Sequence, residues 1–143
     1  IDVQNRIIDK FVVLQDIDAS DIFEIYRVSD DGINRVYVSP FKHIPKTWKK
    51  GGGYAIDYNQ SIGGIKNIAV SDDLICFSLF LQNYNEAAKT DFASNELFCF
   101  DWDGNKVKKY VLPFPIGNFC IDGTHIYGVR NFEDKIIIYR FNM

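Results

Sequence analysis

Apolar residues along the chain recur in short runs rich in Val, Ile, Phe and Tyr, separated by polar turn signals, and almost nowhere at helical spacing. The pattern predicts consecutive antiparallel strands near residues 7–15, 20–28, 34–39, 66–71, 74–82, 96–102, 106–112, 116–121, 124–130 and 135–142, with a further short one at 54–58. Asp31-Gly32, Asp103-Gly104 and Asp122-Gly123 each lie between apolar runs, and Asp-Gly readily takes the positive backbone angles of a tight hairpin. Leu74 to Leu81 and Ile136 to Phe141 are apolar on both faces, so each needs cover on both sides, which calls for stacked sheets.

Self-similarity sharpens that picture. Asn67-Ile68-Ala69-Val70-Ser71-Asp72-Asp73-Leu74-Ile75-Cys76 aligns without a gap to Asn118-Phe119-Cys120-Ile121-Asp122-Gly123-Thr124-His125-Ile126-Tyr127. A second unit occurs as Glu24-Ile25-Tyr26-Arg27-Val28, Cys99-Phe100-Asp101-Trp102 and Ile138-Tyr139-Arg140-Phe141. Phe100 and Tyr139 are 39 positions apart (139 − 100), the length of a four-stranded propeller blade. Tyr26 and Phe100 are 74 apart (100 − 26), one blade plus roughly 30 inserted residues on that period. With strands labelled A to D from the inside of each blade, the chain runs B-C-D, A-B-C-D, A-B-C. The fold class expected is all-β, a β-propeller segment of about three antiparallel blades. It forms one domain over 1–143, with blade segments at about 7–40, 66–113 and 116–142, an insertion over 41–65 and a second long loop over 83–95. About three blades do not close a ring, so the chain is expected to be a fragment or a partner-dependent half.

At 143 residues the length suits one ordinary domain, and 12 Phe with 8 Tyr reinforce the β reading. A net charge of -3 without a broad basic field argues against a nucleic-acid partner. No apolar run approaches the roughly 20 residues of a membrane-spanning helix. The chain begins at Ile1 with no charged-then-apolar leader, so any signal peptide is expected to have been removed or to lie outside this sequence. Cys76, Cys99 and Cys120 are odd in number, widely spaced and each inside an apolar run, which predicts three buried free thiols.

The segments Phe100-Asp101-Trp102-Asp103-Gly104-Asn105, Lys106-Val107-Lys108-Lys109-Tyr110 with Pro113, Phe119-Cys120-Ile121-Asp122-Gly123, Ile126-Tyr127-Gly128 and Ile136-Ile137-Ile138-Tyr139-Arg140-Phe141 together resemble the C-terminal part of TolB-like six-bladed β-propellers, a family common among exported proteins and lipoproteins of gut bacteria. The resemblance is best from about residue 66 to the end and weak over 1–60. It implies a six-bladed ring, an exported location in the periplasm or on the cell surface, and binding without catalysis. It carries over no functional residue, because the matched positions are strand and turn positions.

Candidate chemistry is sparse. His43 and His125 are the only histidines, neither has a Cys or His at ligand spacing, and no nucleophile elbow, zinc-protease pair or phosphate loop is present. Gly51-Gly52-Gly53 lacks the Lys-Ser/Thr of a phosphate loop and reads as a flexible connection. Asp101-Trp102-Asp103-Gly104-Asn105 starts like a calcium loop but has no later bidentate acid, and a hairpin turn explains it. The Asp30-Asp31 and Asp72-Asp73 pairs also sit at turns. No catalytic residue, metal ligand or cofactor is therefore expected. The most suggestive segment is Phe41-Lys42-His43-Ile44-Pro45-Lys46-Thr47-Trp48-Lys49-Lys50 with the glycines and Tyr54 after it. Aromatics with cationic neighbours on a loop can stack on a sugar or hold an acidic group, so Trp48, Lys49, Tyr54 and Tyr58 are the candidate binding residues for a glycan or protein. The alternative is a loop whose Trp48 tucks against the sheet while its lysines are solvated. A second functional expectation is self-association through the open sheet edges to complete a ring, and a propeller hydrolase or lyase ranks third.

Overall fold

A computed structural model describes residues 9–14, 23–39, 43 and 45–143. The expected strand positions at 7–8, 15 and 20–22, and Phe41, Lys42 and Ile44 of the suggestive segment, lie outside the described residues. The chain is all-β, and among the described residues three antiparallel sheets of three or four strands follow each other in sequence order, with a two-stranded hairpin between the first and the second. The first joins β1 (Lys10–Leu14), β2 (Phe23–Ser29) and β3 (Gly32–Val38). The second joins β6 (Ile62–Val70), β7 (Ile75–Asn83), β8 (Ser94–Phe100) and β9 (Lys106–Ile116). The third joins β10 (Phe119–Ile121), β11 (His125–Phe132) and β12 (Lys135–Asn142). Strands follow each other in space as in sequence, three, four and three, in the arrangement expected of a partial β-propeller.

The Asp-Gly turns form for the anticipated reason. Gly32, Gly104 and Gly123 have φ of 122°, 84° and 92°, where a side chain would be strained. In the 101–105 turn the Asp101 carboxylate accepts from the backbone N–H of Asp103 and Asn105, both at 2.9 Å, and Asn105 Nδ2 donates to its other oxygen at 2.9 Å. That carboxylate is occupied in capping a hairpin, which accounts for the calcium-like spacing.

Both faces of the second sheet are buried, by different neighbours. Ile75, Phe77 and Phe100 meet Phe23 and Ile25 of the first sheet. Cys76, Leu97, Cys99 and Leu112 meet Ile121 and Ile126 of the third. Alternation along β7 and β8 splits their residues between the two cores, as a strand covered on both sides requires. Phe23 sits 5.3 Å from Phe77 and 5.4 Å from Phe100, tilted and edge-on. Each such ring contact adds about 1 kcal/mol to the roughly 2–3 kcal/mol from burying the ring.

Three departures from the sequence reading stand out. Residues 41–65 are not all loop, because β4 (Thr47–Lys50) and β5 (Gly53–Ile56) pair as a hairpin that turns at Gly51-Gly52. The second long loop contains α1 (Tyr84–Ala88), capped by the Asn83 side chain, which accepts from the N–H of Asn85 and Glu86. The cysteines are not three buried thiols. Cys76 and Cys99 oppose each other across β7 and β8 with Cα atoms 4.2 Å apart and form a disulfide, while Cys120 is a free thiol and exposed. Sequence spacing could not show the pairing, since it depends on the register that brings two strands 23 residues apart into opposition.

Candidate binding face

Each strand reverses the direction of the one before, so connections alternate between the two ends of the sheets. One end collects the Asp turns at 30–32, 71–74, 101–105 and 122–124. The other collects the connection from β3 to β6 carrying the β4–β5 hairpin, the α1 connection, the Gly117-Asn118 link and the Glu133-Asp134 turn. Long connections at one end of a rigid sheet stack are where binding residues concentrate.

Among the described residues the hairpin pairs with no other strand. Its base is tied down by buried Ser61, whose Oγ accepts from the Lys46 N–H at 2.9 Å and whose carbonyl accepts from the Tyr84 N–H at 2.8 Å. Asn83 and Asn85 donate their side-chain amides to Asn59, lacing the hairpin to the start of α1. Above that base Trp48 is 49% exposed and Tyr54 80% exposed. Trp48 therefore does not tuck against a sheet.

Register separates the four sequence candidates. Lys49 is directly opposite Tyr54, so these two share one face of the hairpin, while Trp48, opposite Ala55, is on the other. Lys50 joins Trp48 on that second face, its Nζ 5.8 Å from the indole centroid. Each face thus carries one aromatic and one ammonium. Tyr58 lies beyond the strands, its ring 4.4 Å from that of Tyr84. The aromatic contact continues from Tyr84 to Phe92 at 5.1 Å and from Phe92 to Phe80 at 5.6 Å. Lys66 Nζ lies 5.3 Å from the Tyr84 ring and 5.1 Å from that of Phe92.

Behind Phe92, at the same end, a cavity of about 620 Å³ opens between the second and third sheets. Its polar lining includes Asn67, Thr90, Asp91, Asn118, Arg130 and Asn131. The volume is that of a small-molecule site. The Arg130 guanidinium lies 5.4 Å from the Phe114 ring and 5.9 Å from that of Phe132, so its position is set by two aromatic faces. Asn67 sits at a bulge in β6 with φ of 53° and donates to the Phe92 carbonyl at 3.2 Å. Asp91, Phe92, Glu133 and Asp134 also have positive φ, and a left-handed Phe or Glu is a costly conformation that recurs around functional sites.

Sequence reasoning missed this cavity. One signal was available: Asn67 and Asn118 both line it, and they open the two aligned ten-residue segments at the same position. Among the described residues no group of three or more His, Cys, Asp and Glu is gathered as a metal site. His125 belongs to the opposite end, where its Nδ1 lies 2.8 Å from Thr124 Oγ1 and 3.5 Å from Asp122 Oδ2. His43 is exposed. No helix among the described residues is long and apolar enough to cross a membrane.

Comparison with known proteins gives a family. The model of the TolB-like 6-blade propeller-like family matches residues 9–124. The match includes the first sheet and the hairpin, where the sequence resemblance was weakest, and it ends before β11. No curated protein and no solved structure matches the chain. A family model that covers residues 9–124, well over half of the chain, settles the kinship: the chain belongs to the TolB-like 6-blade propeller-like family.

Proposed function

We propose that the chain is a binding segment of an exported bacterial β-propeller, taking a ligand or protein partner without catalysis at the end that carries the long connections. The observation that carries the proposal is the β4–β5 hairpin, which pairs with no other strand among the described residues and holds Trp48 and Tyr54 in solvent on opposite faces. Trp and Tyr rings each offer a broad apolar face with a polar edge, and each of these two has a lysine beside it. That pairing suits a ligand with a flat apolar surface and negative charge, such as an acidic glycan, or an acidic patch on a protein. Lys49 and Tyr58 extend the contact along the hairpin and its base, and the neighbouring polar cavity gives a second place for a projecting group. Export is supported by the Cys76–Cys99 disulfide, since such bonds persist mainly in oxidising compartments.

Tryptophan fluorescence tests the proposal directly, because Trp48 is half exposed whereas Trp102 is 9% exposed. Titration with a panel of acidic and neutral oligosaccharides is expected to change emission for the acidic members. Trp48→Ala should abolish that change, and Tyr54→Ala should weaken binding, with the melting temperature of both variants within about 2 °C of the parent. Binding left intact in both variants, or a panel with no binding member, refutes the assignment of the hairpin as a glycan-binding arm.

A further inference from the structure

The cavity between the second and third sheets is lined by two opposite charges, Arg130 and Asp91, that do not neutralise each other. Among the described residues neither makes an ion pair, and no hydrogen bond reaches the Asp91 carboxylate. The Phe114 and Phe132 rings hold the Arg130 guanidinium in place but offer no carboxylate to its N–H fork.

Both charges stand on walls that the chain builds by itself. Asp91 is left-handed, with φ of 51°, in the turn after α1. That turn is closed by backbone bonds from the Asp91 N–H to the Ala88 carbonyl at 3.0 Å, from Phe92 to Ala87 at 3.1 Å and from Ala93 to Thr90 at 2.9 Å. Asn67, at the bulge in β6, clamps it: its Nδ2 donates to the Phe92 carbonyl at 3.2 Å and to Ser78 Oγ at 3.5 Å. Both bonds use the amide nitrogen, so Asn67 Oδ1 is left as an acceptor. On the other wall the Gly117 N–H donates to the Val129 carbonyl and the Val129 N–H to the Asn118 carbonyl, both at 2.9 Å, which fixes the link beside Arg130. Gly128 of β11 lies against Ile116 of β9, and alternation turns Arg130, two positions later, towards the second sheet as well. The two charges therefore face each other's sheets across the inter-sheet gap.

We propose that this cavity binds a small zwitterion, a free amino acid or a dipeptide, with its carboxylate on the Arg130 guanidinium and its ammonium directed to the Asp91 carboxylate and Asn67 Oδ1. The pattern of signs selects the class. A simple anion would pair with Arg130 but stand beside Asp91, and a simple cation would meet the reverse. A neutral sugar would leave both charges without partners in a partly desolvated site. A zwitterion satisfies both, and the guanidinium fork matches a carboxylate in two parallel hydrogen bonds. The volume of about 620 Å³ has room for a dipeptide, whose peptide group the Asn118 amide can meet at the wall. The site is separate from the β4–β5 hairpin and from whatever the hairpin takes.

Saturation-transfer NMR and calorimetry of the 143-residue chain with a panel of free α-amino acids and dipeptides test the proposal. Zwitterionic members are expected to bind. N-acetylation of a bound dipeptide removes its ammonium and C-terminal amidation its carboxylate, and each should weaken binding by about tenfold or more, because one charged partner is left behind unpaired. Asp91→Asn keeps a residue tolerant of the left-handed backbone. It should weaken the free dipeptide by a similar factor and leave the N-acetylated one almost unaffected, while Arg130→Gln should act on the free dipeptide and spare the amidated one. A purely structural role does not produce that end-specific pairing, and the capped peptides report it on the unaltered chain even if Arg130→Gln loosens the third sheet. A panel with no binding member, capped dipeptides that bind as well as free ones, or variants whose losses are the same for free and capped dipeptides overturns the proposal.

Discussion

Reduction of the Cys76–Cys99 disulfide perturbs the centre of the second sheet without altering its sequence. The two cysteines are 0% and 1% exposed, stand opposite each other on β7 and β8, and close a loop across 23 positions that contains α1 and the left-handed Asp91-Phe92 pair. Cross-linking a loop of this length removes unfolded-state entropy worth about 3.4 kcal/mol at 25 °C in the chain-entropy relation. For a domain of this size, with a urea dependence of roughly 2 kcal/mol per molar, that corresponds to a midpoint lowered by roughly 1.7 M. Equilibrium urea unfolding followed by the emission of buried Trp102, with and without reductant, measures the shift. A thiol titration in denaturant provides the independent count. One reactive thiol, Cys120, is expected before reduction and three afterwards. The Cys76→Ala/Cys99→Ala variant should be insensitive to reductant, and somewhat less stable than the reduced parent because two buried sulfur atoms are gone. Three reactive thiols in the untreated chain, or a midpoint that reductant leaves unmoved, would refute the reasoning and remove the main physical support for an oxidising compartment.

Two further outcomes follow from the packing and from the Asp turns. A Cβ on Gly128 would stand 2.5 Å from Ile116 Cδ1 and 2.9 Å from its Cγ2, so Gly128→Ala should destabilise by about 1–3 kcal/mol. Gly117→Ala meets only the Val129 carbonyl at 3.7 Å and should stay within about 0.5 kcal/mol in the same urea assay; equal effects would contradict the sheet packing. At the opposite end, the Asp122 carboxylate accepts from the backbone N–H of Thr124 and of His125 and from the Thr124 and Tyr127 hydroxyls, which hold its pKa well below the ordinary 3.8. The unfolded chain then takes up the proton first on acidification. The contribution of Asp122 is complete above the ordinary carboxylate value and is lost as pH falls from there towards the depressed one. Asp122→Asn retains an acceptor oxygen for the turn but cannot titrate, so stability measured below about pH 4 should fall less steeply than in the parent; an unchanged slope would refute the assignment.

What the sequence made legible is what local chemistry and repetition fix. The Asp-Gly pairs at 31–32, 103–104 and 122–123 specify turns through Gly backbone angles, and the 39-residue interval from Phe100 to Tyr139 matches equivalent positions in β8 and β12. The β4–β5 hairpin escaped because Thr47-Trp48-Lys49-Lys50 has no apolar alternation: neither of its faces is buried by a sheet, so no period-2 signal was needed. The five residues of α1 are too few to display a helical period. The disulfide and the cavity were hidden for a different reason, since both arise only where separate elements meet in three dimensions. Asn67 nevertheless left a trace. Its repeat partner Asn118 stands in the link between β9 and β10, whereas Asn67 is a polar amide inside β6 and an exception to the apolar pattern there. In the structure it is matched by a bulge, a left-handed backbone and a hydrogen bond that holds the carbonyl of left-handed Phe92 beside the cavity. The repeat thus brings its two amides, Asn67 from within β6 and Asn118 from the link before β10, to the lining of one cavity, although only the first carries the bulge.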